Sequence, residues 1–335
     1  LSQFELSPVG KCPHADRAKN QAGEEVVGIE AHGESKAALA RKAVNSTHHD
    51  FSQCRLVSPH ERFHFKGMRL LLIGHGYLGA AVARVFREAA WEVCSFSLSG
   101  GEGSLACDVA DCAAVDHLPV ADFIIHCAAS GRGGAEAYQR VYVDGCRNLV
   151  EKFPGVPILF TSSTSVYSQT DGSVVTEESP TEPDRETGRL LLEAERITLD
   201  AGGIVARLAG IYGPGRSVIL RKFLSGEAVI EEDGRRYLNQ IHRDDAARAI
   251  LHLATDGARR GVFNVCDSRP LTQLECYQKL SEIFDRPLPP SGPRDLDRKR
   301  GWTHKRVSNV KLIASGWRPE FSCFTDAVES IAPTL

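Results

Sequence analysis

The chain has 335 residues, 42 % hydrophobic and 25 % charged, with a formal net charge of -3. That is the composition of a globular chain with one large folding unit or two smaller ones. Mixed charges leave no basic footprint for nucleic acid, and no apolar run reaches the roughly 18–20 residues of a membrane span. Ten cysteines are scattered with no C-x-x-C pair, which suits a reducing cytoplasm better than a disulfide framework or a zinc site.

Residues 1–67 hold six of the twelve histidines and no tryptophan, tyrosine or methionine. Apart from "ESKAALARKAV" at 34–44, their hydrophobics keep neither a period of 2 nor one of 3.6. A secretory signal lacks its apolar core here, and Glu24, Glu25, Glu30 and Glu34 speak against an organellar presequence. Met68 is the single methionine. We expect translation to begin there naturally, with 1–67 an upstream read-through or a disordered extension; an accessory arm is the rival reading.

"RLLLI" (69–73) then reads as a buried strand and "YLGAAVARVFREA" as a helix, joined by Gly74-His75-Gly76-Tyr77-Leu78-Gly79. This G-x-G-x-x-G lies between a strand and a helix, the context a dinucleotide fingerprint demands. The first glycine permits the turn, the second lets a pyrophosphate approach, and the third allows helix to pack on strand. The second strand, "WEVCSF" (91–96), runs into Ser97 and Ser99 with no carboxylate at its tip. Without that acid nothing repels a 2′-phosphate, so the expected cofactor is NADP or NAD, with NADP slightly favoured.

Further strands are expected at 104–111, 121–130, 156–168 and 203–215, with helices at 135–153 and 182–202. That alternation argues for an α/β fold with a doubly wound parallel sheet. Beyond 216 it loosens. Helices at 234–254 and 268–284 then suggest a smaller C-terminal lobe over the substrate. The expected organisation is a nucleotide-binding Rossmann core at 68–215 and, at 216–335, mostly the substrate lobe of the same unit.

Together these motifs resemble the short-chain dehydrogenase/reductase superfamily, in particular its extended and atypical NAD(P)-dependent epimerases and dehydratases, over about 68–330. The resemblance implies that Asp108 and Val109 of "CDVAD" lie near the adenine. Cys127, Ala128 and Ala129 of "IIHCAAS" would pass the cofactor ribose. "FTSSTSVYS" is similar to the strand-five signature; it puts Thr161 beside the cofactor and the catalytic hydroxyl on Ser163. Ser162, pointing to the other face, is read as structural.

Two departures stand out. Ile73 occupies the first glycine of the extended family's G-x-x-G-x-x-G. The family's Tyr-x-x-x-Lys pair falls on Thr187 and Leu191, and no tyrosine here has a lysine four residues later. Tyr167 is the candidate replacement, against a packed strand-end aromatic. Thr187, Tyr212 and Arg216 are candidate substrate contacts. The expected function is an NAD(P)-dependent oxidoreductase or epimerase-like enzyme acting on a sugar nucleotide or other hydroxy-carbonyl compound. The alternative is a degenerate nicotinamide-binding sensor or interaction protein. A small-molecule substrate is the expected partner, without nucleic acid, membrane or metal; a homo-oligomer is compatible with the pattern.

Overall fold

A computed structural model describes residues 67–131, 133–255, 260–294 and 302–335. The expectations for residues 1–66 lie outside the described residues.

Strand β1 (Arg69–Ile73) shows why a continuous apolar run forms a central parallel strand: both its faces are covered. Leu70 and Leu72 enter one core cluster with Val82 and Phe86, whereas Leu71 and Ile73 enter another with Val115 and Leu149. Leu70, Leu71 and Leu72 are fully buried, each stabilising the fold by about 1.5–3 kcal/mol. The elements that follow are α1 (Tyr77–Glu88), β2 (Glu92–Ser97), β3 (Leu105–Ala106), α2 (Cys112–Asp116) and β4 (Phe123–His126). A helical run over 135–152, α3, contains a π-helical stretch, Gln139–Asp144. Then come β5 (Ile158–Ser163), α4 (Glu186–Asp200), β6 (Ile204–Leu208), α5 (Val218–Leu224), α6 (Arg243–Thr255), β7 (Gly261–Val265) and α7 (Gln273–Phe284).

The seven strands form one parallel sheet in the order β7-β6-β5-β4-β1-β2-β3. It is the doubly wound, Rossmann-like α/β fold expected. Strand order reverses between β1 and β4, so a crevice opens beyond their carboxyl ends.

Several elements differ from their sequence reading for local reasons. The third strand shrinks to two residues because Asp108 turns the chain by accepting the Ala110 N–H (3.0 Å), and Asp111 caps α2. The expected helix at 234–254 begins only at Arg243. Its first residues pair as strands instead, Tyr237–Leu238 with Leu271–Thr272 and Gln240–His242 with Gly210–Tyr212. Residues 261–265 return to the main sheet as β7 while α6 packs on α1. The sheet therefore draws one strand, and a helix layer beside it one helix, from beyond residue 215. A second core, around Leu220, Phe223, Tyr277 and Phe324, gathers much of the remainder.

Candidate active site

Beyond β1, three glycines divide the work of the turn. Gly74 has φ +104, and a Cβ there would lie 2.2 Å from the Ala128 nitrogen. A Cβ on Gly79 would lie 1.9 Å from the Gly74 carbonyl oxygen. Both must stay bare for turn, helix and β4 tail to pack. Gly76 is different: a Cβ there would meet nothing within 4 Å, so this position faces open space. It is the N-cap of α1, and no side chain caps that end. The first-turn N–H groups and the positive end of the helix dipole are thus presented to an anion.

The turn is tied to its neighbours by backbone groups. The Gly74 and His75 N–H groups donate to the Phe96 carbonyl (2.7 and 3.2 Å), and Cys127 N–H donates to Ile73 (2.8 Å). The Cys127 thiol donates to the Gly74 carbonyl at 3.2 Å. Burial pushes that thiol up to about 12, so it packs and does not react.

A cleft of about 1030 Å³ lies over this turn and runs to the end of β5. It is lined by Gly74, Gly76, Tyr77, Leu78, Gly79, Ser97, Asp108, Val109, Cys127, Ala128, Ala129, Thr161 and Ser163, together with Arg216. At its β2 end the lining is Ser97, Leu98, Ser99 and Gly100, with no acid among them. Ser97 shares hydrogen bonds with Ser104 (3.0 Å) and the Gly100 carbonyl (3.3 Å). Asp108 accepts from Arg140 at 2.8 Å on the rim. At the far end Thr161 donates to the His126 carbonyl (3.3 Å), and the Ser163 oxygen accepts the Ser165 N–H (3.2 Å). That acceptance leaves the Ser163 proton free to be donated into the cleft.

Three expected site residues lie elsewhere. Tyr167 is fully buried in the main core cluster. Its hydroxyl accepts from Arg207 (2.9 Å) and donates to the Asn264 side chain (2.9 Å). It is a packed, hydrogen-bonded aromatic and does not reach the cleft. Tyr212 is also buried, its ring edge-on to His242 and Phe324 in the second core, so it offers no substrate contact. Thr187 leaves the main cleft for a neighbouring pocket of about 250 Å³, shared with Ser165, Arg185 and Trp302. Leu191 lines both spaces. Arg216 stands at the glycine turn, its guanidinium 5.1 Å from the centre of the Tyr77 ring. Arg243 approaches the same ring at 5.1 Å, and the Tyr77 hydroxyl donates to the Pro214 carbonyl.

Behind Ser163 lies a buried polar network. Ser162 donates to Glu195 at 2.5 Å, and Arg207 donates to both Glu195 oxygens at 2.6–3.2 Å. Ser162 and Ser163 thus face opposite ways, as strand alternation requires. Sequence reasoning missed the π-helical wall of the cleft, which carries Arg140, Val141 and Tyr142. Its apolar spacing reads as ordinary helix. The signal available was His126, whose Nε2–H donates to the Val141 carbonyl at 2.9 Å. Burial pushes His126 down to about 4, so the ring is neutral at physiological pH and donates from Nε2.

The sequence signature of the NAD dependent epimerase/dehydratase family matches residues 70–266. The chain belongs to this family. It is 27 % identical to protein YeeZ of Escherichia coli strain K12 over 256 residues, covering 70 % of this chain and 89 % of that one. A human epimerase family protein solved with NADPH superposes with a TM-score of 0.69 at 19 % identity, over 80 % of this chain and 100 % of the other. The UDP-glucose 4-epimerase of Thermotoga maritima, solved with UDP-glucose, gives 0.67 at 22 % identity, over 80 % and 98 %. These two structural likenesses bear on the fold. In this epimerase/dehydratase chain, no helix of the described residues is long and apolar enough to cross a membrane. Nor do those residues contain a cluster of His, Cys, Asp or Glu fit for a metal ion.

Proposed function

We propose that this chain binds a nicotinamide dinucleotide in the cleft over the β1–β4 switch. It would act as an oxidoreductase or epimerase-like enzyme on a sugar nucleotide or other hydroxy-carbonyl compound. The observation that carries the reading is Gly76. It is the one glycine of the fingerprint whose missing Cβ leaves open space, and it stands at an uncapped helix N-terminus. That is the environment a pyrophosphate requires. Arg216, which lines the cleft and lies over the neighbouring Tyr77 ring, adds positive charge to it. The adenosine end would run past Asp108 toward Ser97, and the nicotinamide end toward Ala128, Ala129 and Thr161. When bound, the nicotinamide supplies or accepts a hydride; Ser163 holds the substrate oxygen by donating its hydroxyl proton. The pocket around Thr187 and Trp302 would take the part of the substrate that does not react. Residues 68–215 carry the nucleotide in this reading, and the second core beyond 216 covers the substrate.

Leu191 in the cleft wall favours one rival, a sensor that binds nucleotide without turnover, because it offers neither charge nor proton where the family resemblance expects a lysine. A thermal-shift titration with NADPH and NADH, followed by a carbonyl screen, separates the readings. Ligand at a hundred times Kd stabilises by about 2.7 kcal/mol, or roughly 5–10 °C for a domain of this size. No shift with either nucleotide overturns both.

Gly76→Val is expected to weaken nucleotide binding at least tenfold, about 1.4 kcal/mol, in calorimetry. Its melting temperature should stay near that of the parent, since a Cβ at this position meets no protein atom within 4 Å. Undiminished binding would mean that the turn is not the phosphate site.

Ser97→Asp tests the other end. The parent should bind NADPH at least as well as NADH. An added carboxylate accepts from a ribose diol and repels a 2′-phosphate, so the ratio should move toward NADH by on the order of tenfold. A parent that strongly prefers NADH would show that a residue other than Ser97 reads the ribose.

A further inference from the structure

We infer that Tyr142 is the acid–base residue of this cleft, in place of the tyrosine missing from the helix after β5. The inference rests on the nicotinamide reading above. A reductase needs a group that gives a proton to the substrate oxygen as the hydride arrives at carbon. Thr187 faces the neighbouring pocket, Leu191 has no proton to give, and Tyr167 is walled off by Arg207 and Asn264. The cleft's own tyrosines are Tyr77, Tyr138 and Tyr142. Tyr77 stands at the glycine turn with its hydroxyl committed to the Pro214 carbonyl, and Tyr138 is buried.

Tyr142 has the remaining qualifications. It is only partly buried while lining the cleft, and its phenolic oxygen accepts the Ser130 N–H at 3.2 Å. Ser130 follows directly on Ala128 and Ala129, where the nicotinamide ribose is expected. Accepting that N–H leaves the hydroxyl's own proton to be donated into the cleft. The ring is held edge-on by Tyr138 (5.0 Å) and by Phe160 (5.8 Å), three residues before Ser163 on β5. Its backbone lies in the π-helical stretch Gln139–Asp144, an irregularity that recurs at functional sites. The neutral His126 braces that stretch through the Val141 carbonyl.

In the reductive direction, hydride from the reduced nucleotide adds to the carbonyl carbon and the C=O π pair moves to oxygen. That oxygen takes the Tyr142 proton, giving the alcohol and the oxidised nucleotide. The Tyr142 phenolate then regains a proton from water. Oxidation of an alcohol runs the same steps in reverse.

The test uses Tyr142→Phe, which keeps the ring and its packing. Calorimetry with NADPH should give a Kd within about threefold of the parent. Turnover, with UDP-glucose as the alcohol or with an aldehyde and ketone panel, should fall roughly 10²–10⁴-fold. A readout independent of turnover is the 13Cζ resonance of labelled tyrosine that disappears in Tyr142→Phe; in the parent it should shift when NADPH is added. Turnover retained in Tyr142→Phe overturns the proposal and leaves the oxidoreductase reading standing. So does a parent that binds NADPH without moving that resonance. A parent that binds no nicotinamide nucleotide overturns the reading and the proposal together.

Discussion

Glu195→Ala is expected to destabilise the protein by about 3–5 kcal/mol, on the order of 10 °C in Tm, because it strands a buried guanidinium. Arg207 and Glu195 have side chains only 6 % and 3 % exposed and meet at 2.6 Å. Around them Ser162 donates to Glu195, and Tyr167 accepts from Arg207 and donates to Asn264, tying β5, α4, β6 and β7 together. Without the carboxylate, Arg207 keeps its charge, with the Tyr167 hydroxyl as its remaining hydrogen-bond partner within this network. The pair itself adds little net stability compared with a well-packed apolar pair, so the double variant Glu195→Leu, Arg207→Met should recover much of the loss. Urea denaturation of the parent and both variants provides the check. A single variant within 1 kcal/mol of the parent would show that water reaches this network.

Ser163→Ala is expected to lower kcat by about 10²–10³ with little change in nucleotide affinity, provided the hydroxyl donates to an oxygen whose charge grows in the transition state. Its oxygen also accepts the Ser165 N–H at the start of the turn Thr164–Val166. Loss of that cap costs about 0.5–2 kcal/mol of stability. Melting curves therefore accompany the kinetics. A fall in Tm with unchanged kcat would make Ser163 a structural cap only. A fall in kcat with unchanged nucleotide Kd would place it at the reacting oxygen. The two serines can be told apart this way, since Ser162 faces Glu195 and its loss should act on stability.

The glycine turn, the β1–α1 unit and the parallel sheet were legible because each rests on short-range causes. "RLLLI" is apolar at every position, as a strand covered on both faces must be, and Gly74, Gly76 and Gly79 meet needs arising within one turn or with the next strand. Asp108, Ala128, Ala129, Thr161 and Ser163 were picked out by the family resemblance, and they lie at strand ends, which a doubly wound sheet brings to one rim. The tyrosines were not legible in this way. Tyr167 and Tyr212 follow strands just as a cleft residue would, and the local sequence is the same whether a ring turns to solvent or to core. Arg207 and Asn264, 40 and 97 residues away, draw Tyr167 inward, and the edges of His242 and Phe324 enclose Tyr212. The same holds for "GVFNV" at 261–265, which becomes the edge strand only because Ile204–Leu208 offers it a free ladder. Tyr142 comes to the cleft wall through a π-helical stretch that no apolar period announces. By itself the sequence determined the sheet, its glycine turn and the hydroxyl at the end of β5. Which aromatic side chains meet the cleft was decided by partners distant in the chain, because burial and hydrogen bonding of a tyrosine depend on what the finished fold places around it.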